Sequence, residues 1–387
     1  MTQEAQHANG RRLRLCYVAD LKSSHTVRWV SYFAQKGHAI LVLSPTPVNI
    51  PGVRVWRIFR TPTLPKLVQM ANVVQVLRAA VSFRPHALHA HYARIYGWLA
   101  ALSFVRPLVV TVWGGDILED QGAFSDFLGR TLTPFALRRA DLVTAHSRFL
   151  RDKVVALGAR SAAVEIVGCP GVDRRTFKPG LAANTLRKEL SLGDGPVVFC
   201  PRIIDPLYNT ETVVRAIPEV LREIPGVRFI FTEHMGSGPH IRAMKSLAHE
   251  LGVEDAAVFA DSIPHDRMPL FFNLARVLVS IPDSDGMPQS LLEAMACGTV
   301  PVVGDLPQYE GVVRDGVNAL VVDRKDPHSL GLAVTKLLKD DETRARLSAA
   351  AAATTAQGMD YEVEMAKMEK LYLKLAERAT PRAGDRR

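Results

Sequence analysis

Residues 275–305 read ARVLVSIPDSDGMPQSLLEAMACGTVPVVGD. A short apolar run, ARVLVSIP, leads into a polar loop. A helix-length segment follows from near Pro288, and a second apolar run, TVPVVGD, closes the stretch. Strand, helix and strand in that order, with both strands apolar throughout, predict a parallel pair buried on both faces. Outward from this stretch the alternation continues. Toward the N-terminus lie PVVFCPR, VRFIFTEH and AAVFADSI, and toward the C-terminus NALVVD. An earlier series reads LRLCYVAD, HAILVLSP, VRVWRI, ALHAHY, PLVVTVW, ADLVTAHS and VEIVGCPG, with helix-length segments such as HTVRWVSYFAQKG between most of them. The segment CPGVDRRTFKPGLAANTLRKELSLGDG at 169–195 breaks the series with prolines and glycines.

The reading is therefore two successive open α/β sheets. The first domain spans residues 1–172, a connection 173–195, the second domain 196–357, and a C-terminal helix and tail 358–387. A length of 387 residues fits two domains at roughly 100–200 residues each. The last helix, DYEVEMAKMEKLYLKLAERA, has no strand after it and is expected to lay its apolar face on the first domain. In open sheets of this kind ligands bind beyond the carboxyl ends of the strands, and two facing sheets make a cleft.

Composition excludes several classes. A hydrophobic share of 48% with 22% charged residues supports two ordinary cores and argues against a largely disordered chain. The most membrane-like stretch, IYGWLAALSFVRPLVVTVW, is interrupted by Arg106-Pro107. The N-terminus is polar and lacks the apolar core of a signal peptide. Cys16, Cys169, Cys200 and Cys297 follow no metal-ligand spacing, and a reducing cytoplasm is the expected compartment. The first strand runs into DLKSSHT rather than G-x-G-x-x-G, and no P-loop is present, which disfavours a dinucleotide oxidoreductase and a P-loop NTPase. The net charge of +9 is uneven: residues 1–172 carry +12 and the remainder −3. A basic first half calls for an anionic partner. No nucleic-acid-binding signature accompanies it, so a phosphate-bearing acceptor or a lipid surface is expected instead.

Chemistry concentrates in residues 283–305. Asp285 and Glu293 lie eight apart, the first in a loop after a strand, the second inside the following helix. A helix start offers unpaired N–H groups and a positive dipole end to phosphate, and a carboxylate there accepts from ribose hydroxyls. The plainer alternative makes Ser284 or Asp285 a helix cap and Glu293 a solvated side chain. In the first half, Ser24, His25 and Arg28 stand where the first strand meets its helix. His25 and Arg28 are one turn apart. His89 and His91 share a strand face, His91 nearer the strand end.

SLLEAMACGTVPVV resembles, nearly residue for residue, the donor-binding motif of the retaining glycosyltransferases of family four. ADLVTAHSRFLRDKV with PGVDRRTFKP, GVEDAAVFADSIPHDRMPLFF, and RDGVNALVVDRKDPHSLGLAVTKLL resemble other landmarks of the same family, so the likeness spans most of the chain. It implies the GT-B architecture: two Rossmann-like domains facing across a cleft. It also implies transfer of a sugar from a nucleotide-diphosphate sugar, with no metal or other cofactor, to a glycan, lipid-linked or small-molecule acceptor. By this resemblance Glu293 holds the ribose hydroxyls, Asp285 meets the donor sugar, and Gly286, Met287 and Pro288 form the turn at the sugar and diphosphate. Arg202 meets the diphosphate, and Arg202 and Asp285 are the catalytic candidates. Ser24, His25, Arg28, His91, Trp113 and Asp116 fall on the acceptor side.

Two departures stand out. A lysine common in the family five residues after the arginine is Leu207 here, followed by Tyr208-Asn209. A histidine common after PLVVTVW is replaced by Trp113 in the run Trp113-Gly114-Gly115-Asp116. These leave open a nucleotide-sugar binder with weakened catalysis, or an epimerase of similar architecture. Asp283-Ser284-Asp285 imitates an Asp-x-Asp metal motif, but its surroundings match the metal-free class. FSDFLGRTLTPFALRRAD mixes Phe124, Phe127, Leu128, Phe135 and Leu137 with Arg130, Arg138 and Arg139. That mixture reads as an interfacial helix on an anionic membrane, or as an ordinary amphipathic helix that Pro134 splits.

Overall fold

The computed structural model describes residues 11–59, 66–118, 123–168, 170–233, 236 and 238–379. The chain divides into two compact units: residues 1–170 with 362–387, and residues 171–361.

The first unit holds a seven-stranded sheet in the order β3-β2-β1-β4-β5-β6-β7, every pairing parallel. Its strands are β1 Arg14–Val18, β2 Ala39–Ser44, β3 Val53–Arg57, β4 Ala87–His91, β5 Leu108–Thr111, β6 Leu142–Ala145 and β7 Val164–Ile166. β4, β5 and β6 are buried at every residue, which is why they read as unbroken apolar runs. The helix Ser24–Gln35 buries Thr26, Trp29, Val30, Tyr32 and Phe33, a stripe at helical spacing.

The second unit repeats the plan with six strands, β10-β9-β8-β11-β12-β13. These are β8 Val197–Ile203, β9 Arg228–Thr232, β10 Ala257–Ala260, β11 Val277–Ser280, β12 Val300–Gly304 and β13 Leu320–Val322. Successive residues of each strand enter opposite cores. Val198, Phe229, Val279 and Val302 join one buried cluster, and Phe199, Ile230, Leu278 and Val303 the other. In both sheets the strand order reverses beside the first strand, at β1/β4 and at β8/β11. Those two points are where an open α/β sheet takes ligands.

Residues 173–195, read from sequence as the connection, contribute Phe177, Leu186 and Leu192 to the second unit's core. The C-terminal helix Tyr361–Ala379 lies on the first unit, with Met365, Met368 and Tyr372 fully buried. Tyr372 Oη sits 3.2 Å from Tyr17 Oη and 2.5 Å from His89 Nδ1, and it accepts from Trp29 Nε1 at 3.3 Å. Glu369 pairs with His38 at 2.9 Å, and Gly168 N donates to Glu364 Oε2 at 2.6 Å.

The arginine-rich helix differs from the interfacial reading. Ala123–Arg139 is one continuous helix with Pro134 inside it. Leu137 is fully buried and Phe135 packs against the first core, so neither faces outward. The side chains of Phe124, Phe127 and Leu128 lie outside the described residues. Arg130 and Arg138 are exposed, and Arg139 stacks 4.4 Å over the ring of exposed Phe104. Among the described residues no helix is long and apolar enough to cross a membrane.

Candidate active site

In the second unit the carboxyl ends of β8 and β11 bring the sequence motif together. Arg202, near the end of β8, reaches Asp285 in the loop after β11, with Nη2 2.7 Å from Oδ2. The Tyr208 ring lies 4.5 Å beneath the guanidinium. Burial pulls the arginine pKa down, but the Asp285 carboxylate together with the Tyr208 and Tyr309 hydroxyls outweighs it and raises it. Burial and the same carboxylate also raise the Tyr309 hydroxyl. Asp285 Oδ1 accepts from its neighbour Gly286 N at 2.8 Å.

The donor-motif helix is Gln289–Ala296. Pro288 occupies its N-cap position and no side chain caps it. Ser284 and Asp285 are therefore not its caps: Asp285 turns to Arg202 instead. Within the turn, Pro288 has no N–H and the Gly286 amide is taken by Asp285. Met287 and the first turn of the helix hold the remaining donors. Glu293 is only 2% exposed, which excludes the solvated alternative. Its Oε1 lies 3.0 Å from Nε2 of His265, a residue the sequence did not single out.

The turn that replaces the family lysine is occupied differently. Asn209 adopts a left-handed conformation and donates to Ile281 O at 2.8 Å and Asp283 Oδ1 at 3.0 Å. Lys325, just beyond β13, donates from Nζ to Asn209 Oδ1 and Asp283 Oδ2, each at 2.7 Å. Arg324 adds a bond to Asp283 Oδ1 at 3.2 Å. Partial burial would raise the Asp283 carboxyl, but Lys325, Asn209 and Arg324 hold it below its ordinary value. The two carboxylates of Asp283-Ser284-Asp285 thus serve different cations.

In the first unit a group of rings gathers past the ends of β1, β4, β5 and β6. His25 stacks on Trp113 at 5.0 Å between centroids. His91 lies 5.5 Å and His146 5.1 Å from the same indole, and Trp29 is 5.1 Å from His91. His91 Nδ1 meets Thr26 Oγ1 at 3.1 Å, and His146 Nδ1 donates to Val167 O at 3.3 Å. Burial, followed by His146 and His25, lowers His91 to about 3, and burial lowers His146 to about 4, so both are neutral at pH 7. His146 and Trp29 were not anticipated. Arg28 is half-buried one turn beyond His25, and Ser24 is exposed at the helix start. Asp116 accepts from the amides of Trp113 and Gly114, each at 3.0 Å, and of Ala93 at 2.6 Å. Burial raises its carboxyl against the pull of these amides. Both oxygens hold loop backbone, a loop-building role rather than a contact facing a ligand.

Residues 183–354 match the family model of glycosyl transferases group 1, and residues 14–147 match that of glycosyl transferase 4-like proteins. The chain is 31% identical over 271 residues to the GDP-mannose-dependent alpha-(1-6)-phosphatidylinositol monomannoside mannosyltransferase of Mycolicibacterium smegmatis, covering 66% of this chain and 69% of that one. It is 31% identical over 336 residues to the D-inositol 3-phosphate glycosyltransferase of Acidothermus cellulolyticus, covering 79% of this chain and 73% of the relative. The chain belongs to the group 1 glycosyltransferases. This glycosyltransferase shares its fold with Anabaena HepE, solved with UDP and glucose, at a TM-score of 0.80. The match covers 94% of this chain and 100% of HepE at 17% identity. The enzyme thus transfers a sugar from a nucleotide-sugar to an acceptor on a GT-B scaffold.

Proposed function

We propose that this glycosyltransferase binds a nucleoside-diphosphate sugar on its second unit and transfers the sugar, with retention and without a metal, to a hydroxyl of a phosphate-bearing or lipid-linked polyol or glycan. The observation that carries the reading is Arg202 paired with Asp285 at the uncapped start of the helix that holds Glu293.

Donor binding is an exchange of partners. The diphosphate takes the Arg202 guanidinium, whose fork suits phosphate oxygens, and Asp285 turns to a hydroxyl of the donor sugar. Glu293, steadied by His265, accepts from the ribose. Tyr208 adds a hydroxyl donor, and Lys325 places an ammonium at the turn where the family lysine is missing. Met287 and the amides after Pro288 face the charge that grows on the departing diphosphate. A double displacement needs a free carboxylate beneath the sugar as well as a second one. With the donor bound, Glu293 is engaged by His265 and the ribose and Asp285 by a sugar hydroxyl, so neither motif carboxylate stands free beneath the sugar, which favours front-face attack with the leaving phosphate taking the acceptor proton.

On the acceptor side, His25, Trp113 and His91 form the platform, with Ser24 and Arg28 on the adjoining helix. A phosphate-bearing acceptor fits the +12 charge of residues 1–172. It also fits the two relatives, whose names carry phosphatidylinositol monomannoside and D-inositol 3-phosphate. A cytoplasmic location is supported by the buried free thiols of Cys16, Cys200 and Cys297, and a peripheral contact with anionic lipid by the basic charge.

The test is a thermal-shift survey of UDP-, GDP- and ADP-sugars, in which a ligand at 100 times its Kd stabilises by about 2.7 kcal/mol. The donor found is then incubated with phosphorylated polyols, and the anomeric configuration of the product is read by NMR with and without EDTA. An inverted anomer, or transfer abolished by EDTA and restored by magnesium, overturns the mechanism.

A further inference from the structure

A cavity of about 610 Å³ opens on the first unit far from the rings around Trp113. Arg106, Pro107, Asp141, Arg160, Leu375 and Arg378 line it. Pro107 immediately precedes β5, and Asp141 immediately precedes β6. The cavity therefore lies at the amino ends of these strands, while Trp113 and His146 follow their carboxyl ends. Four-residue strands separate the two by about 13 Å.

We propose that this cavity is a second anion site, built for a phosphate monoester or diphosphate and distinct from the donor site. Three guanidiniums surround it against a single carboxylate, an excess of two positive charges. That carboxylate is already engaged: Asp141 Oδ2 accepts from Leu108 N at 2.8 Å, and Oδ1 lies 3.6 Å from Arg106 Nη1. Arg106 and Arg160 are held in place by carbonyls at the end of the helix Ala123–Arg139. Arg106 donates to Arg139 O at 3.2 Å and Arg160 to Ala140 O at 3.0 Å. A guanidinium carries five N–H donors, so one such bond orients each group and leaves most of its donors for a ligand.

Capping that helix end explains two of the arginines but not Arg378. Arg378 arrives from the C-terminal helix and forms no ion pair among the described residues. The three arginines are exposed, so water screens their mutual repulsion, but a compact dianion gains by bridging them because forked donors recognise phosphate oxygens in pairs. Pro107 and Leu375 supply an apolar wall for the group that carries the phosphate. Because Leu375 and Arg378 belong to the C-terminal helix, a bound phosphate ties that helix to the strand edge and raises Tm.

The same chemistry has two sources, a soluble phosphorylated compound or a lipid headgroup. The experiment uses the full chain carrying Arg202→Gln, which silences the diphosphate contact at the donor site. Pyrophosphate is titrated by calorimetry, then again after adding Arg160→Gln or Arg378→Gln, with ligand-free melting as the folding control. Each added substitution is expected to weaken binding roughly ten- to a hundredfold. In parallel, phosphatidylcholine vesicles with and without phosphatidic acid, whose headgroup is a phosphate monoester, are sedimented with the same variants. Pyrophosphate binding that depends on Arg160 and Arg378, without vesicle binding, supports a soluble ligand. Sedimentation only with vesicles that contain phosphatidic acid, lost in both variants, supports a headgroup. Pyrophosphate binding abolished by Arg202→Gln alone, or indifferent to Arg160 and Arg378, with no arginine-dependent sedimentation, overturns the site.

Discussion

Arg202 and Asp285 meet at 2.7 Å with 17% and 14% of their side chains exposed. In the ligand-free protein the group proposed to hold the diphosphate is therefore already neutralised by the group proposed to hold the sugar. This makes Asp285→Asn informative. Removing the carboxylate frees Arg202 and removes a negative charge from the diphosphate's surroundings. Calorimetry with free UDP or GDP is expected to show about fivefold or more tighter binding. Transfer is expected to fall by about a hundredfold or more, as a charged hydrogen bond to the reacting sugar is lost. Weaker nucleoside diphosphate binding in this variant refutes the exchange of partners.

Glu293→Gln probes the ribose contact. Losing a charged acceptor is expected to weaken donor binding by about 1.5–3 kcal/mol. Free phosphate or pyrophosphate, which has no ribose, is expected to bind the variant as it binds the wild type. Calorimetry with both ligands separates the two outcomes. An equal loss for both means that the substitution has disturbed the helix start rather than the ribose.

How much of this was legible beforehand differs between fold and site. Strands such as Leu142–Ala145 and Val277–Ser280 are buried on both faces, so each is an unbroken apolar run visible one residue at a time. The motif carboxylates were legible because Asp285 and Glu293 sit on a single loop and helix. Partners from other elements were not. His265 lies 28 residues before Glu293, and Lys325 lies 116 residues after Asn209, so only the assembled sheet brings them together. Asp116 stands beside Trp113 in sequence, yet its carboxylate reaches back to Ala93 after another strand. The helix containing Phe135 and Leu137 shows why an amphipathic pattern is ambiguous: the same spacing suits a membrane or a protein core, and here the core takes both.

Tyr372→Phe tests the fastening of the C-terminal helix. Its hydroxyl meets Tyr17, His89 and Trp29, all fully buried. Deleting it leaves buried polar groups without a partner, at a cost of about 1–3 kcal/mol. Urea unfolding is expected to show a lower midpoint with an unchanged m-value. A midpoint equal to that of the wild type means that the contact contributes nothing to holding the helix.

Acid sensitivity follows from the buried imidazoles. Burial lowers His91 to about 3 and His146 to about 4 from an unfolded value of 6.5. Between these values the unfolded chain binds protons that the native protein does not, so stability rises with pH across this window and is lost on acidification. The loss begins as pH falls through about 6.5 and is complete only below the folded values. At pH 5 each histidine is expected to cost about 2 kcal/mol relative to pH 7.5. The Asp285 and Glu293 pairs stay outside this comparison if the same titration is run on His146→Leu, which keeps both. Urea midpoints measured from pH 7.5 to pH 5 are expected to fall steeply in the wild type and less steeply in His146→Leu, by about the contribution of one histidine. Parallel slopes for the two proteins rule out His146 as a neutral, buried imidazole. They also remove the support its neutral state lends to the ring cluster around Trp113.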